Sequence, residues 1–262
     1  MITSLANEKV KYARSLRRRR QRRREGRFLV EGVRLLEEAV KAGMHPAFVF
    51  FQPERSTAPR VQALLDCLRA AGVSCLAASE TVIRSLSETV TPQGIVAVVP
   101  QPRLPRAVSP SLVLVVDWLR DPGNLGTILR TAAAAGVDEV LLGPGTVDPY
   151  NPKVVRAGMG AHFRLPLASN LNWPQIAERL RGLAVWLADA QGERVYDAVD
   201  WRRPTALIVG GEAAGYSEEA AALAHGRLRV PMHGDVESLN AAVATAVILF
   251  EAARQRRTRP AD

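Results

Sequence analysis

The chain has 262 residues, 47% of them apolar, and a net charge of +9. That length suffices for one large or two ordinary domains with real cores, and the even spread of apolar residues excludes a disordered chain. No stretch approaches the ~18 uninterrupted apolar residues of a membrane span, no signal-peptide h-region precedes the first charges, and the two cysteines, Cys67 and Cys75, lack metal-ligand spacing. The expected setting is a reducing cytoplasm, with no membrane and no metal.

The charge is concentrated at the start. Residues 1–27 hold eleven Lys/Arg against Glu8 and Glu25, and seven arginines fall between Arg17 and Arg24. The remainder is neutral. The arginines Arg17, Arg18, Arg19, Arg20, Arg22, Arg23, Arg24 and Arg27 form a basic arm suited to bidentate phosphate contacts and base stacking. An acidic protein or anionic lipid is the other reading, but no apolar face accompanies the block, which favours nucleic acid.

Residues 4–24 have helix-forming composition, with Ser4 as a possible cap. A short strand over 28–30 leads to a helix over 31–42 that ends at Gly43, and then to a buried strand over 47–51. A helix over 59–71, a strand over 73–77, a short helix over 79–86 and a strand over 95–99 complete a small α/β domain. Four prolines between Pro100 and Pro110 mark the boundary, giving domains of residues 1–106 and 107–262.

The second domain opens on Leu112–Val116, a continuous apolar strand of the kind buried in parallel sheets. Helices over 122–135, 151–160, 174–183 and 218–225 alternate with strands over 139–142, 184–188, 206–209 and 228–230. The last helix runs from Ala241 to Arg257 without internal Gly or Pro. This alternation predicts a doubly wound, mostly parallel α/β sheet. In such sheets ligands lie beyond the carboxyl ends of the strands, where three polar or glycine-rich loops fall: Asp117–Asn124, Gly210–Gly215 and Pro231–Ser238.

Standard catalytic signatures are missing. There is no Gly-x-x-x-x-Gly-Lys-Ser/Thr loop, no Gly-x-Gly-x-x-Gly in the first strand–helix turn and no Gly-x-Ser-x-Gly elbow. The four histidines are scattered, and His233, although in the last loop, reads as solvent-facing or structural.

Three stretches nevertheless resemble the signature motifs of the SpoU/TrmH branch of the SPOUT superfamily, the knotted RNA ribose 2′-O-methyltransferases. They are Asp121-Pro122-Gly123-Asn124-Leu125-Gly126-Thr127-Ile128-Leu129-Arg130-Thr131-Ala132, then Leu207-Ile208-Val209-Gly210-Gly211-Glu212-Ala213-Ala214-Gly215, and finally Val230 to Asn240. Arg14-Ser15-Leu16, Gly26 to Gly32 and Pro92-Gln93-Gly94-Ile95-Val96-Ala97 resemble the family's N-terminal substrate-binding domain. One departure is Ala213, where the family has glycine.

The resemblance implies a small N-terminal RNA-binding domain followed by a knotted methyltransferase domain that uses S-adenosyl-L-methionine. It implies that Gly210, Val230, Met232 and Leu239 contact the cofactor. It also implies that Arg130 activates the ribose hydroxyl, with Asn124, Glu212, Ser238 and Asn240 orienting it, the substrate and the turn. For Asn124 and Asn240 the alternative is loop and cap architecture, and for Glu212 a structural partner of backbone N–H groups. A homodimer is implied. The substrate is expected to be RNA, 23S ribosomal RNA ahead of transfer RNA. The rival from another class is a non-catalytic RNA-binding or ribosome-assembly protein that keeps the fold.

Overall fold

The computed structural model describes residues 1–211 and 215–257. The chain divides into two compact units, Met1–Arg103 with Tyr150–Phe163, and Leu104–Pro149 with Arg164 onward. The first unit begins with α1 (Glu8–Ser15), α2 (Arg19–Glu25), β1 (Arg27–Glu31), α3 (Val33–Lys41) and β2 (Phe48–Phe51). It continues through α4 (Pro59–Ala70), β3 (Ser74–Ala77), α5 (Glu80–Leu86) and β4 (Ile95–Pro100). Its sheet has the order β1-β4-β2-β3, with only β2 and β3 parallel.

Both faces of this sheet are covered, and the alternation of side chains shows how. Phe28, Val30, Val49, Ile95, Ala97 and Val99 point to one core, shared with α3 and α4. Leu29, Phe48, Phe50, Val96 and Val98 point to the other, shared with α1 and α5.

The N-terminal segment departs from the expected single helix. Asn7 caps α1 by accepting the N–H groups of Lys9 and Val10, and the helix stops after Ser15. Val10, Ala13 and Leu16 are fully buried, so α1 is part of a core and not a free arm. Arg22 is 2% exposed, and its guanidinium donates to the carbonyls of Leu16 and Arg17 at 2.9 and 2.7 Å. A guanidinium presents several donors in a fixed fork, and here they satisfy carbonyls left open where α1 ends. Arg22 is therefore corrected from phosphate ligand to internal brace. Arg27 is half-buried and donates to the Tyr12 hydroxyl.

The second unit begins with β5 (Leu112–Val116), α6 (Pro122–Ala135) and β6 (Glu139–Leu142). The chain then supplies α7 (Pro152–Gly158) to the first unit, where Phe28, Tyr150 and Phe163 form an aromatic cluster. It returns with β7 (Leu167–Ala168), α8 (Trp173–Arg179), β8 (Ala184–Ala188), β9 (Arg194–Val195) and β10 (Thr205–Val209). The last elements are α9 (Glu218–Leu223), β11 (Gly226–Arg229) and α10 (Ala241–Arg257).

Among the described residues the seven strands of this sheet are all parallel, in the order β7-β6-β5-β10-β8-β11-β9. Val113, Val115, Leu141, Val185, Leu187, Ala206 and Ile208 pack with Trp173 and Ile176 of α8 and Ala220 of α9. Two-residue strands such as β7 and β9 carry too little pattern to be read from sequence. α10 packs along α6. Its far end is held by Arg256, whose guanidinium donates to the carbonyls of Trp201, Ser111 and Arg203 and to the Ser111 hydroxyl.

Candidate functional site

The carboxyl ends of β8, β10 and β11 open into a cavity of about 420 Å³, closed on one side by the start of α10. That volume lies within the ~300–1,000 Å³ range of small-molecule sites. Gly210, Val230, Met232, Ser238, Leu239 and Asn240 all line it. Residues from two of the three sequence motifs thus meet around one space.

The walls are built from unusual backbone. Gly211 and Gly215 exchange two N–H···O=C bonds of 2.8 and 3.1 Å, which hold these two glycines together after β10. A Cβ on Gly210 would lie 2.3 Å from the carbonyl oxygen of Gly215, so a side chain there is sterically excluded. Gly211 is equally constrained from the other side, by the carbonyl of Trp118 at 2.3 Å from a virtual Cβ. Glu212, Ala213 and Ala214 lie outside the described residues, and with them the expected role of Glu212.

Leu228, Val230, Met232, Leu239 and Ile248 supply an apolar lining, while Ser238 and Asn240 bring polar groups. The last helix begins at Ala241, and its cap is Asn240, whose Oδ1 accepts the N–H groups of Ala242 and Val243 at 2.9 and 3.3 Å. Ser238 lies before the cap, exposed at the mouth of the cavity.

Asp121 caps α6 by accepting the N–H of Asn124 at 2.7 Å, and Pro122 occupies the first helical position. The side-chain Oδ1 of Asn124 then accepts from Asn240 Nδ2 at 3.2 Å, joining the first motif to the third. The Asp117–Asn124 loop is otherwise not part of the cavity lining. Arg130 is exposed on α6 and is also not among the lining residues. His233 is exposed.

A fourth loop, Ala188-Asp189-Ala190 after β8, also lines the cavity, as does Tyr216. In the sequence Asp189 is marked only by its place in a polar turn directly after an apolar parallel strand, and Tyr216 by no local pattern. The Tyr216 hydroxyl donates to Asp189 Oδ2 at 2.6 Å, and the N–H of Gln191 donates to Oδ1 at 2.9 Å. Burial raises the Asp189 pKa, but these bonds and the Arg227 guanidinium outweigh it and hold the carboxyl below its ordinary value. The same hydrogen bond, helped by burial, pushes the Tyr216 hydroxyl up.

Beneath the loops, Asp117 at the end of β5 is fully buried. Its Oδ2 accepts the N–H of Ser217 at 2.7 Å, while Oδ1 has no hydrogen-bond partner among the described residues. Burial drives its pKa above the ordinary carboxylate value, against the pull of Ser217. Among the described residues, no group of His, Cys, Asp and Glu side chains could hold a metal ion, and no helix is long and apolar enough to cross a membrane.

Comparisons with known proteins bear on the chemistry. Residues 111–250 match the model of the SpoU rRNA Methylase family, and residues 7–97 match that of the MRM3-like substrate binding domain. The chain is 36% identical to the rRNA methyltransferase 3, mitochondrial, of Homo sapiens, covering 92% of this chain and 70% of that protein. It is 36% identical to the 23S rRNA (guanosine(2553)-2′-O)-methyltransferase RlmP of Bacillus subtilis (strain 168), covering 95% of this chain and 97% of that one. Among solved structures, the SpoU methyltransferase AviRb of Streptomyces viridochromogenes in complex with AdoMet is 30% identical, with a TM-score of 0.87. That match covers 96% of this chain and 99% of the other.

Proposed function

The chain belongs to the SpoU rRNA Methylase family, and from that premise we propose that it transfers a methyl group from S-adenosyl-L-methionine to a ribose 2′-hydroxyl of 23S ribosomal RNA. The observation that carries this reading is the cavity lined by Gly210, Val230, Met232 and Leu239, the residues expected to hold the cofactor. It is roomy enough for a molecule of that size, its apolar lining suits an adenine ring, and the exposed backbone of its loops can read the ring's polar edge.

When bound, the cofactor supplies an electrophilic methyl group on a sulfonium. The residues of the chain act on the other reactant. A ribose hydroxyl is a weak nucleophile until its proton begins to leave, so the site must stabilise the developing alkoxide. Arg130 is assigned that task. A guanidinium stays protonated, so it acts by charge and position and not as a base. Asn124 and Asn240 hold the third motif against the first, and Ser238 faces the mouth of the cavity. Glu212 is assigned to orienting the substrate.

Because Arg130 lies on the surface of α6 and away from the cavity lining, a second copy of the chain is assigned to complete the site. Val236, Leu239, Val243 and Phe250 are exposed apolar residues on the third motif and α10, and they support a homodimer built on that face. The methyltransferase domain, residues 107–262, is assigned the family's knot, and residues 1–106 the binding of RNA through exposed Arg17, Arg18, Arg19, Arg20, Arg23 and Arg24. A ribosomal substrate fits a cytoplasmic location.

The test is transfer of tritiated methyl from S-adenosyl-L-methionine to ribosomal RNA, followed by nucleoside analysis. The wild type should yield a 2′-O-methylnucleoside. Arg130→Ala should abolish transfer while retaining cofactor binding by calorimetry. Unchanged turnover in that variant would remove Arg130 from the mechanism.

A further inference from the structure

We propose that Trp118 and Arg120 form a stacking platform for an unpaired base of the RNA, set beside the methyl-transfer cavity. The inference rests on the function proposed above and adds a substrate contact to it.

Trp118 follows the fully buried Asp117 and has φ of 53°. A bulky residue in the left-handed region persists only where its surroundings hold it there, and such residues concentrate at ligand sites. The holding contacts are visible. On one side of the residue, Asp117 N–H donates to Val209 at 2.9 Å, and on the other Leu119 carbonyl accepts from Val147 at 2.8 Å. Leu119 is fully buried, and the Trp118 carbonyl abuts Gly211 where only a glycine fits.

The ring is buttressed too. A Cβ on Gly145 would lie 2.8 Å from it, so the indole rests against bare backbone. The Arg120 guanidinium sits 5.2 Å from the ring centroid. Trp201 and Trp173 are buried in cores, whereas Trp118 and Trp186 are half-buried beneath Arg120 and Arg194, each guanidinium 5.2 Å from its ring centroid. Of these two only Trp118 lies in the left-handed region, with Arg120 exposed beside it. The chain thus holds a strained, braced aromatic with a cation stacked on it at its surface.

Position decides what this pair can do. Gly211, which the Trp118 carbonyl touches, lines the cavity, and Asn124, four residues after Arg120, is bonded to Asn240 on its rim. A ribose 2′-hydroxyl adjoins the carbon that bears the base, so a nucleotide presented to the cavity must place a base within a few ångströms of its mouth. Unstacked RNA bases are characteristically received on aromatic rings and on arginine planes. Such stacking accepts any base, since each has a π face, and Arg120 adds a positive charge for the adjoining phosphate.

The experiment is filter binding of a 23S rRNA transcript to the full chain at elevated salt, where the contribution of the basic arm is screened. Methylation kinetics and cofactor calorimetry are run alongside. Trp118→Gly relieves the backbone conformation and removes the ring, Trp118→Phe keeps an aromatic face, and Arg120→Ala removes the cation. Trp118→Gly is expected to weaken RNA binding about tenfold, the low end of what one stacked base contributes. Arg120→Ala should weaken it less, Trp118→Phe should restore most of the affinity, and cofactor affinity should be unchanged. Wild-type RNA affinity in both Trp118→Gly and Arg120→Ala overturns the platform. So does a Trp118→Phe variant as weak as the glycine one, because the effect would then lie in folding. A wild type that binds RNA but transfers no methyl overturns the function above. It leaves the platform to be judged by the binding difference alone.

Discussion

Asn240 donates from Nδ2 to Asn124 Oδ1 at 3.2 Å, across 116 positions of sequence. The same side chain caps α10 through Oδ1, and two backbone N–H groups on that oxygen fix which way the amide faces. The cap expected of Asn240 as architecture is therefore observed, and the bond to Asn124 is the contact through which its proposed role in the site would act. Asn240→Asp separates them, since aspartate caps as well as asparagine but cannot donate to Asn124. The expected result is a melting temperature close to wild type with methyl transfer reduced at least tenfold. Asn240→Ala should lose both, with about 1 kcal/mol of stability gone with the cap. Equal turnover in the aspartate variant would show that the bridge is dispensable.

Gly210, like Gly211, leaves no room for a side chain in the cavity wall, because a methyl group would meet the Gly215 carbonyl. Gly210→Ala should push Gly210 and Gly215 apart and weaken S-adenosyl-L-methionine binding more than tenfold by calorimetry. Gly182, which has open space around its missing Cβ, provides the control, although its positive φ of 81° adds some strain there. Undiminished cofactor binding in Gly210→Ala would mean that this loop does not form the pocket wall.

The buried Asp117 has a pH signature with a defined sign. Its folded pKa lies above its unfolded value, so the folded state holds the proton more tightly. The stability it contributes is complete below the unfolded pKa and is lost as pH rises through the folded one. Asp117→Asn keeps an acceptor for the Ser217 N–H and removes the charge. Urea unfolding across that window should show a flatter pH dependence in the variant than in wild type. Asp117→Ala, which leaves the Ser217 N–H unpaired, should cost about 1–3 kcal/mol at any pH. Parallel curves for wild type and the asparagine variant would contradict the assignment.

The basic segment separates into exposed arginines, to which RNA binding is assigned above as a proposal, and Arg22, which braces the fold. Replacing exposed Arg18, Arg19, Arg20, Arg23 and Arg24 by glutamine should leave the fold intact. It should also shallow the dependence of log K on log salt by roughly 0.7–0.9 for each RNA phosphate the arm no longer neutralises. Arg22→Gln should do the reverse, lowering the melting temperature with little change in slope, because its guanidinium is spent on the carbonyls of Leu16 and Arg17. A salt slope unaffected by the combined replacement would place RNA binding elsewhere.

The arginine segment also shows where sequence reading stops. Leu112–Val116 and Pro122–Ala135 were legible to the residue, because an all-apolar run is a buried parallel strand and an Asp-Pro start with a Gly stop delimits a helix. The break between α1 and α2 was not, since Ser15 to Arg18 have the same helix-forming composition as their neighbours and the break is imposed by packing. Burial of Arg22 likewise depends on carbonyls that only the folded turn presents. In the site, Gly210 and the third motif were visible through their resemblance to a family. Asp189 and Tyr216 were not, because their pairing spans 27 residues and carries no local pattern. Arg130 was legible as a residue type, but its distance from the cavity lining was not, since that follows from how α6 turns its faces.

The most direct measurement maps alkali-resistant linkages in 23S ribosomal RNA treated with the protein and S-adenosyl-L-methionine. A methylated 2′-oxygen cannot attack its neighbouring phosphate, so methylation protects that one bond from hydrolysis. RNA from cells lacking the gene should gain one resistant linkage with the wild-type chain and none with Arg130→Ala. Incorporation of methyl label without any newly resistant linkage, or no incorporation at all, would contradict transfer to a ribose hydroxyl.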